Sequence, residues 1–404
     1  MIAAKVPMGF NTWNTFGTNI SDQLIRETAD MMVEKGYRDA GYEYLVIDDC
    51  WQEMTRDENG RLVPDHKKFP GGIKPVADYV HSKGLKFGIY SDAGIRTCAG
   101  FPGSYDHEFV DAATFAEWGV DFLKYDVCHF PEGGDCKSRY LTMAMALRSC
   151  GRDILFSACN WGVQEPWNWM RSVGAHMYRS TGDIVDTFRS FSDIVKAQIP
   201  HFCSNAPGCF NDIDMLTVGM YGKGNVGFGA TCNDTEYRMQ FALWCLMSAP
   251  LMLGGDLRNM NEYCEKLLMN KDLIAINQDE ECRPPYVVSK PGVFQLVENP
   301  AEGEHPFQNI PDRALVLLKQ LSGGEFAVAF INMHDKEMPM ELIFTDAGVP
   351  YGAGFDIEMK DVFTGENLGA QRDYYHTKVG GHDMKLFRCK LVKRGAACCC
   401  GCNG

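Results

Sequence analysis

Aspartate recurs at one kind of position in this 404-residue chain, at or just past the end of a short apolar run. Asp48 and Asp49 follow Tyr-Leu-Val-Ile, Asp92 closes Gly-Ile-Tyr-Ser, Asp126 closes Phe-Leu-Lys-Tyr, and Asp214 falls within Asn-Asp-Ile-Asp-Met-Leu. Carboxylates gathered in one pocket suit the cleavage of an acetal, in which one attacks or activates water and another protonates the departing oxygen. Aspartates in such places also bind metals or cap helices. The chain has neither a His-x-His nor a His-Glu-x-x-His pattern, so no metal and no cofactor is expected. Lys124 and Asp126 share a strand face by the two-residue period; they read either as a structural ion pair or as a nucleophile held ionised by a cation. Asp183 stands four residues after Arg179, with Gly182 allowing a turn between them, and its alternative role is the N-cap of a helix over residues 185–198. Trp13 and Trp161 have faces suited to a sugar ring, though tryptophans at strand ends equally serve a core.

The elements that must position these residues alternate in kind. Apolar or β-branched runs at 8–13, 44–51, 87–92, 122–128, 154–160, 176–183, 211–216 and 250–256 predict eight strands. Helical patterns lie between them, among them 21–35, which opens on Ser21 as N-cap and stops at Gly36, then 73–83, 112–118, 137–149 and 236–247. Eight βα units predict a (β/α)8 TIM barrel, and the carboxyl ends of its strands form one face. On that face the strand-end polar residues converge although they are far apart in sequence. After about residue 280 the texture becomes Pro-punctuated and alternating, with strand patterns at 314–319, 325–332, 341–345 and 384–391, the signature of an antiparallel β-sandwich. The expected division is a catalytic barrel over 1–282, a C-terminal β-sandwich over 283–394, and a Cys-rich tail over 395–404.

A net charge of −14, from 39 Lys and Arg against 53 Asp and Glu, excludes a nucleic-acid partner or an acidic membrane surface and favours a neutral ligand. No apolar run is long enough to span a membrane. The N-terminal residues lack the basic and apolar regions of a signal peptide, so a cytoplasmic location is expected. Most of the 17 cysteines lie in apolar patterns and read as buried free thiols. Cys398, Cys399, Cys400 and Cys402 match no zinc spacing.

Seven segments carry a specific resemblance. They are Met8-Gly-Phe-Asn-Thr-Trp-Asn14, Val-Ile-Asp48-Asp49-Cys-Trp51, Gly88-Ile-Tyr-Ser-Asp92, Thr97-Cys-Ala-Gly-Phe-Pro-Gly-Ser104, Leu123-Lys-Tyr-Asp126, Asn211-Asp-Ile-Asp-Met-Leu216 and Ala275-Ile-Asn-Gln-Asp279. In this order they resemble the motifs of glycoside hydrolase family 27, which contains α-galactosidases and α-N-acetylgalactosaminidases. The resemblance implies a retaining exo-glycosidase acting on terminal α-D-galactosyl residues of an oligosaccharide or glycoconjugate, with Asp126 as nucleophile and Asp183 as acid/base. It implies that Asp48 and Asp49 bind the sugar's O4 and O6, that Trp13 shapes the pocket near C6, and that Tyr90, Lys124, Arg179 and Asp214 line the same subsite. In the segment Ser157-Ala-Cys159-Asn160-Trp161-Gly162, it implies that Asn160 meets O2 and that Trp161 crowds any 2-acetamido group. Cys98 and Cys128 match cysteines that bridge in secreted relatives, and a reducing compartment argues against the bridge here. Phe10, Thr12 and Val127 depart from the commoner family residues without touching a charged group. A β-L-arabinopyranosidase, an α-N-acetylgalactosaminidase and a catalytically silent carbohydrate-binding protein are the alternative readings. Homo-oligomer formation is left open.

Overall fold

The computed structural model describes residues 2–229, 231–296, 301, 303–309 and 312–394; the cysteine-rich segment 395–404 lies outside them. The chain divides into two compact units, Met1–Cys282 and Arg283–Gly404.

In the first unit eight parallel strands follow one another around a sheet: β1 (Met8–Asn11), β2 (Tyr44–Val46), β3 (Lys86–Asp92), β4 (Phe122–Asp126), β5 (Leu155–Cys159), β6 (Met177–Arg179), β7 (Phe210–Asp212) and β8 (Leu251–Leu253). The order is β7-β6-β5-β4-β3-β2-β1-β8, and a parallel bridge between Leu216 and Leu253 joins the two edges into a ring. Every predicted strand is found; β3 ends at Asp92 as predicted, and the other seven are shorter at their carboxyl ends than the sequence pattern suggested. Past Val46 the ladder stops because local groups take over the backbone: Asp48 Oδ1 accepts from Asp49 N, Asp49 Oδ1 accepts from Cys50 N, and Cys50 turns to φ +73°. Trp13, read as a strand end, instead begins the single helical turn Trp13–Phe16.

The two-residue period sorts each strand by depth. On β4 Phe122, Lys124 and Asp126 share a face; on β5 Leu155, Ser157 and Cys159 do; on β6 Met177 and Arg179 do. The amino-terminal members of these faces, with Tyr44, Val46, Phe210 and Met252, form one buried apolar cluster inside the ring. The carboxyl-terminal members are the polar ones, so the closed, dry end of the barrel supports an open, charged end.

The helices around the ring form where predicted. Ser21 caps Asp22–Glu34 by accepting from Leu24 N, and Asn233 with Glu236 forms a reciprocal capping box on Asp234–Leu246. Thr187 caps Phe188–Gln198, which leaves Asp183 outside that role.

The second unit is an antiparallel β-sandwich. Its strands are β9 (Tyr286–Ser289), β10 (Phe294–Leu296), β11 (Phe307–Asn309), β12 (Ala314–Gln320), β13 (Glu325–Asn332), β14 (Met338–Ile343), β15 (Phe355–Asp361), β16 (Asn367–Gln371), β17 (Tyr374–Val379) and β18 (Asp383–Lys393). A six-stranded sheet ordered β16-β15-β18-β13-β12-β9 presents Val316, Val328, Phe330, Ile357, Met359 and Phe387 to a core shared with Met340, Leu342 and Val379 of the β14–β17 ladder.

Candidate active site

At the carboxyl ends of the barrel strands a pocket is lined by Trp13, Asp48, Asp49, Tyr90, Lys124, Asp126, Cys159, Trp161, Arg179, Asp183 and Asp214, together with Asn14, Cys98, Ile184, Met215 and Val226. Eleven of the twelve residues singled out in the sequence therefore come together. The exception is Asn160, which is fully buried and donates its amide to the Val163 carbonyl at 2.6 Å, away from the pocket wall.

The two leading carboxylates occupy opposite environments. Asp126 is 5% exposed, whereas the Asp183 side chain is 77% exposed at the mouth. Asp126 Oδ1 accepts from Val127 N at 3.0 Å and Oδ2 from the Tyr90 hydroxyl at 3.1 Å. Burial pushes its carboxyl up to about 6; the Lys124 cation opposes this and the Asp48 charge reinforces it. Arg179 donates to Asp183 Oδ1 at 2.8 Å and to Asp214 Oδ2 at 2.6 Å. Asp214 is buried and conformationally constrained at φ +86°, its Oδ1 accepting from Met215 N and its Oδ2 from Ile184 N. Burial raises the Asp214 carboxyl, and the guanidinium beside it works in the opposite direction.

Asp48 Oδ2 accepts from Lys124 Nζ and from Asn11 Nδ2, both at 2.7 Å. Asp49 is held by Cys50 N and Ala99 N, and burial raises its carboxyl. Lys124 Nζ also lies 5.3 Å from the centre of the Tyr90 ring, a cation–π distance. Although burial disfavours its charge, the carboxylates around Lys124 outweigh that and raise its ammonium. Trp161, at φ +56°, starts the loop after β5, and Gly162 behind it is needed because a Cβ there would meet the Ser180 carbonyl at 2.6 Å.

Several contributors were not picked out beforehand. Asn11 orients Asp48, and Cys98, Ile184, Met215 and Val226 complete the wall. Asp92 was noted only as a strand end; it is fully buried and in register with Asp126 across the β3–β4 pair. Its place at the end of a strand was the available signal. Cys98 and Cys128 are joined in a disulfide, contrary to the sequence argument from compartment, because the loops after β3 and β4 are drawn together. Gly94 N donates to Asp92 Oδ1 and Cys128 N to Asp92 Oδ2, and a Cβ at Gly94 would lie 1.8 Å from the Cys128 carbonyl.

Side chains of Asp92, Cys98, Asp126 and Cys128 approach one another within 4.8 Å, but both sulfurs are used in the disulfide, leaving two carboxylates as metal donors. In the group Glu53, Asp65 and His66, Glu53 and His66 already pair with each other. Among the described residues no helix is long and apolar enough to cross a membrane.

A buried carboxylate and an exposed one at the open end of a parallel barrel, flanked by further acids and two tryptophans, are an arrangement suited to glycoside hydrolysis. The family described as alpha galactosidase A matches residues 7–279, and the alpha galactosidase C-terminal beta sandwich domain matches residues 312–389. The chain is 40% identical over 405 residues to the alpha-galactosidase A of Cellvibrio japonicus, across 95% of this chain and 92% of that protein. It is 47% identical over 275 residues to the alpha-galactosidase of Cyamopsis tetragonoloba, across 68% of this chain and 64% of that protein's length. Its fold matches the crystal structure of alpha-galactosidase I from Mortierella vinacea with a TM-score of 0.85 and 31% identity, across 98% of this chain and 99% of that one. The chain belongs to the alpha-galactosidase family, glycoside hydrolase family 27.

Proposed function

We propose that this enzyme removes terminal α-D-galactosyl residues by double displacement, with Asp126 as nucleophile and Asp183 as general acid/base. The observation that carries the reading is the contrast between the two carboxylates of one pocket, one buried beside a lysine and the other exposed at the mouth. A nucleophile works as the anion, and Lys124 favours that form of Asp126. An acid/base must gain and lose a proton as the leaving group departs and water enters, which suits an exposed carboxyl. Arg179 is shared with the buried Asp214, and its ion pair with so exposed a partner as Asp183 is strongly screened.

In the first step Asp126 attacks the anomeric carbon while Asp183 protonates the glycosidic oxygen. In the second, Asp183 deprotonates the water that releases galactose, and two inversions give retention. Neither step calls on a metal or cofactor. Asp48 and Asp49 accept from sugar hydroxyls, and the names of the relatives from Cellvibrio, Cyamopsis and Mortierella support galactose as that sugar. The substrate is then an α-galactoside oligosaccharide or glycoconjugate, and the catalytic role falls to the barrel over residues 1–282.

The test compares nitrophenyl glycosides of α-galactose, α-N-acetylgalactosamine and β-L-arabinopyranose in chelator-containing buffer. Preference for α-galactose, abolished by Asp126→Asn and reduced most for poor leaving groups by Asp183→Asn, is the expected result. Preference for the arabinopyranoside, or an Asp126→Asn enzyme with near-normal rates, overturns the substrate or the nucleophile respectively.

A further inference from the structure

Beside Asp126, on the neighbouring strand, lies a second carboxylate that the reaction as written does not use. Asp92 and Asp126 end adjacent strands in register, and the Tyr90 hydroxyl sits between them, 3.1 Å from Asp126 Oδ2 and 3.4 Å from Asp92 Oδ2. A phenol has one hydrogen to donate. If both acids were ionised, the carboxylate left without it would face an oxygen lone pair in a site where Asp92 is fully buried and Asp126 5% exposed. One further proton resolves the conflict, as it does wherever two close carboxylates share a dry site.

We infer that Asp92 is a positioning residue that holds this shared proton, donating it to the Tyr90 oxygen so that the Tyr90 hydroxyl donates to an ionised Asp126. The inference rests on the reading of Asp126 as nucleophile. The charges around the two acids assign the proton. Asp126 faces Lys124 on its own strand, Arg179 from β6, Asp48 from beyond β2, and Tyr90 and Asp92 from β3, so both nearby cations stand on its side. Asp92 faces Asp126, Tyr90 and Asp49 and has no cation among its strongest influences. Burial, then repulsion from Asp126, raises the Asp92 carboxyl, against the opposing pull of the two backbone N–H groups that donate to it. Its remaining lone pairs are used on Gly94 N and Cys128 N, which tie the disulfide-bearing loops to the floor of the site and fix which way the acid points.

The two possible states of Asp92 respond differently to neutralisation. The probe is α-galactosyl fluoride, whose departing fluoride needs little proton donation, so the acid limb of kcat/KM reports ionisation of Asp126. Asp92→Asn replaces one neutral group by another; the acid limb stays within about 0.3 pH unit of the wild type, even though kcat falls because the amide opposes the Cys128 N–H. Tyr90→Phe removes the donor and moves the limb to higher pH. If Asp92 works as an anion, Asp92→Asn lowers the limb by about one pH unit or more, which overturns the inference. Should Asp92→Asn not fold, isotope-edited infrared spectroscopy of the wild-type enzyme at pH 7 decides: the inference needs a protonated-aspartate carbonyl band, and its absence is fatal. Asp126→Asn keeps the outcomes apart, since activity retained there sinks the nucleophile reading, whereas a dead Asp126→Asn beside a shifted Asp92→Asn limb sinks only the inference.

Discussion

Replacing Lys124 by methionine keeps most of the side-chain volume and removes a cation that acts on both Asp48 and Asp126. Its Nζ lies 2.7 Å from Asp48 Oδ2, with the two side chains 14% and 2% exposed. At that distance and an effective dielectric constant of about 20, the Coulomb attraction is roughly 6 kcal/mol, most of it offset by the cost of desolvating both ions. Truncating one partner is a different matter, because Asp48 is then left charged, buried and uncompensated, which typically costs about 3–5 kcal/mol. Asn11 Nδ2 and Asp49 N still donate to Asp48, so the lower end of that range is expected. Denaturant unfolding at pH 7 measures it. The same substitution removes the cation that favours ionised Asp126, so the acid limb of kcat/KM moves to higher pH. Repeating the unfolding at pH 4 adds a sign test: protonation of Asp126, already raised by burial and by the Asp48 charge, relieves its repulsion with Asp48, so the destabilisation shrinks. A loss below about 1 kcal/mol at pH 7, with an unmoved acid limb, would refute the picture of Lys124 as the counter-charge of the site.

Two further outcomes follow from the same geometry. Burial, opposed by the Arg179 cation, raises the Asp212 carboxyl to about 6 from 3.8, so its contribution to stability is fully present below about 4 and is lost as pH rises through 6; Asp212→Asn therefore gains on the wild type over that interval. The gain levels off at no more than about 3 kcal/mol, and equal unfolding curves for the two proteins at pH 4 and pH 7 would contradict it. Trp161→Gly relaxes the positive φ and removes the indole from the pocket wall, so the ratio of kcat/KM for the α-N-acetylgalactosaminide to that for the α-galactoside should rise by about 10-fold or more; an unchanged ratio would show that the indole does not select against the acetamido group.

The barrel was legible because its signals are local and repeated. Eight apolar runs separated by capped helices admit few arrangements, and parallel strands joined by helices close in one hand. The β-sandwich was half legible: β12, β13 and β18 carry long apolar or alternating runs, whereas β9 is bounded by prolines and β16 contains Gly369 and exposed polar residues, so neither stood out from a loop. In the barrel the carboxyl ends of seven of the eight strands were overextended, because an apolar run does not show where a neighbour's hydrogen bonds stop. The turns at Cys50 and Asp214 arise from side chains competing for the backbone past that point.

Residue type and spacing settle much of what this chain can become: a parallel βα ring, strand ends rich in acids, and a lysine two residues before Asp126, all consequences of the strand period. Which of those acids share a proton, a cation or a backbone amide was decided only in three dimensions. Asp92 and Asp126 are 34 positions apart and meet under one hydroxyl, Arg179 divides its charge between an exposed and a buried partner, and Asn160, beside Trp161 in sequence, turns away from the pocket. Sequence reports the groups available, but burial and distance set the energy of each charge, and both are properties of the closed barrel.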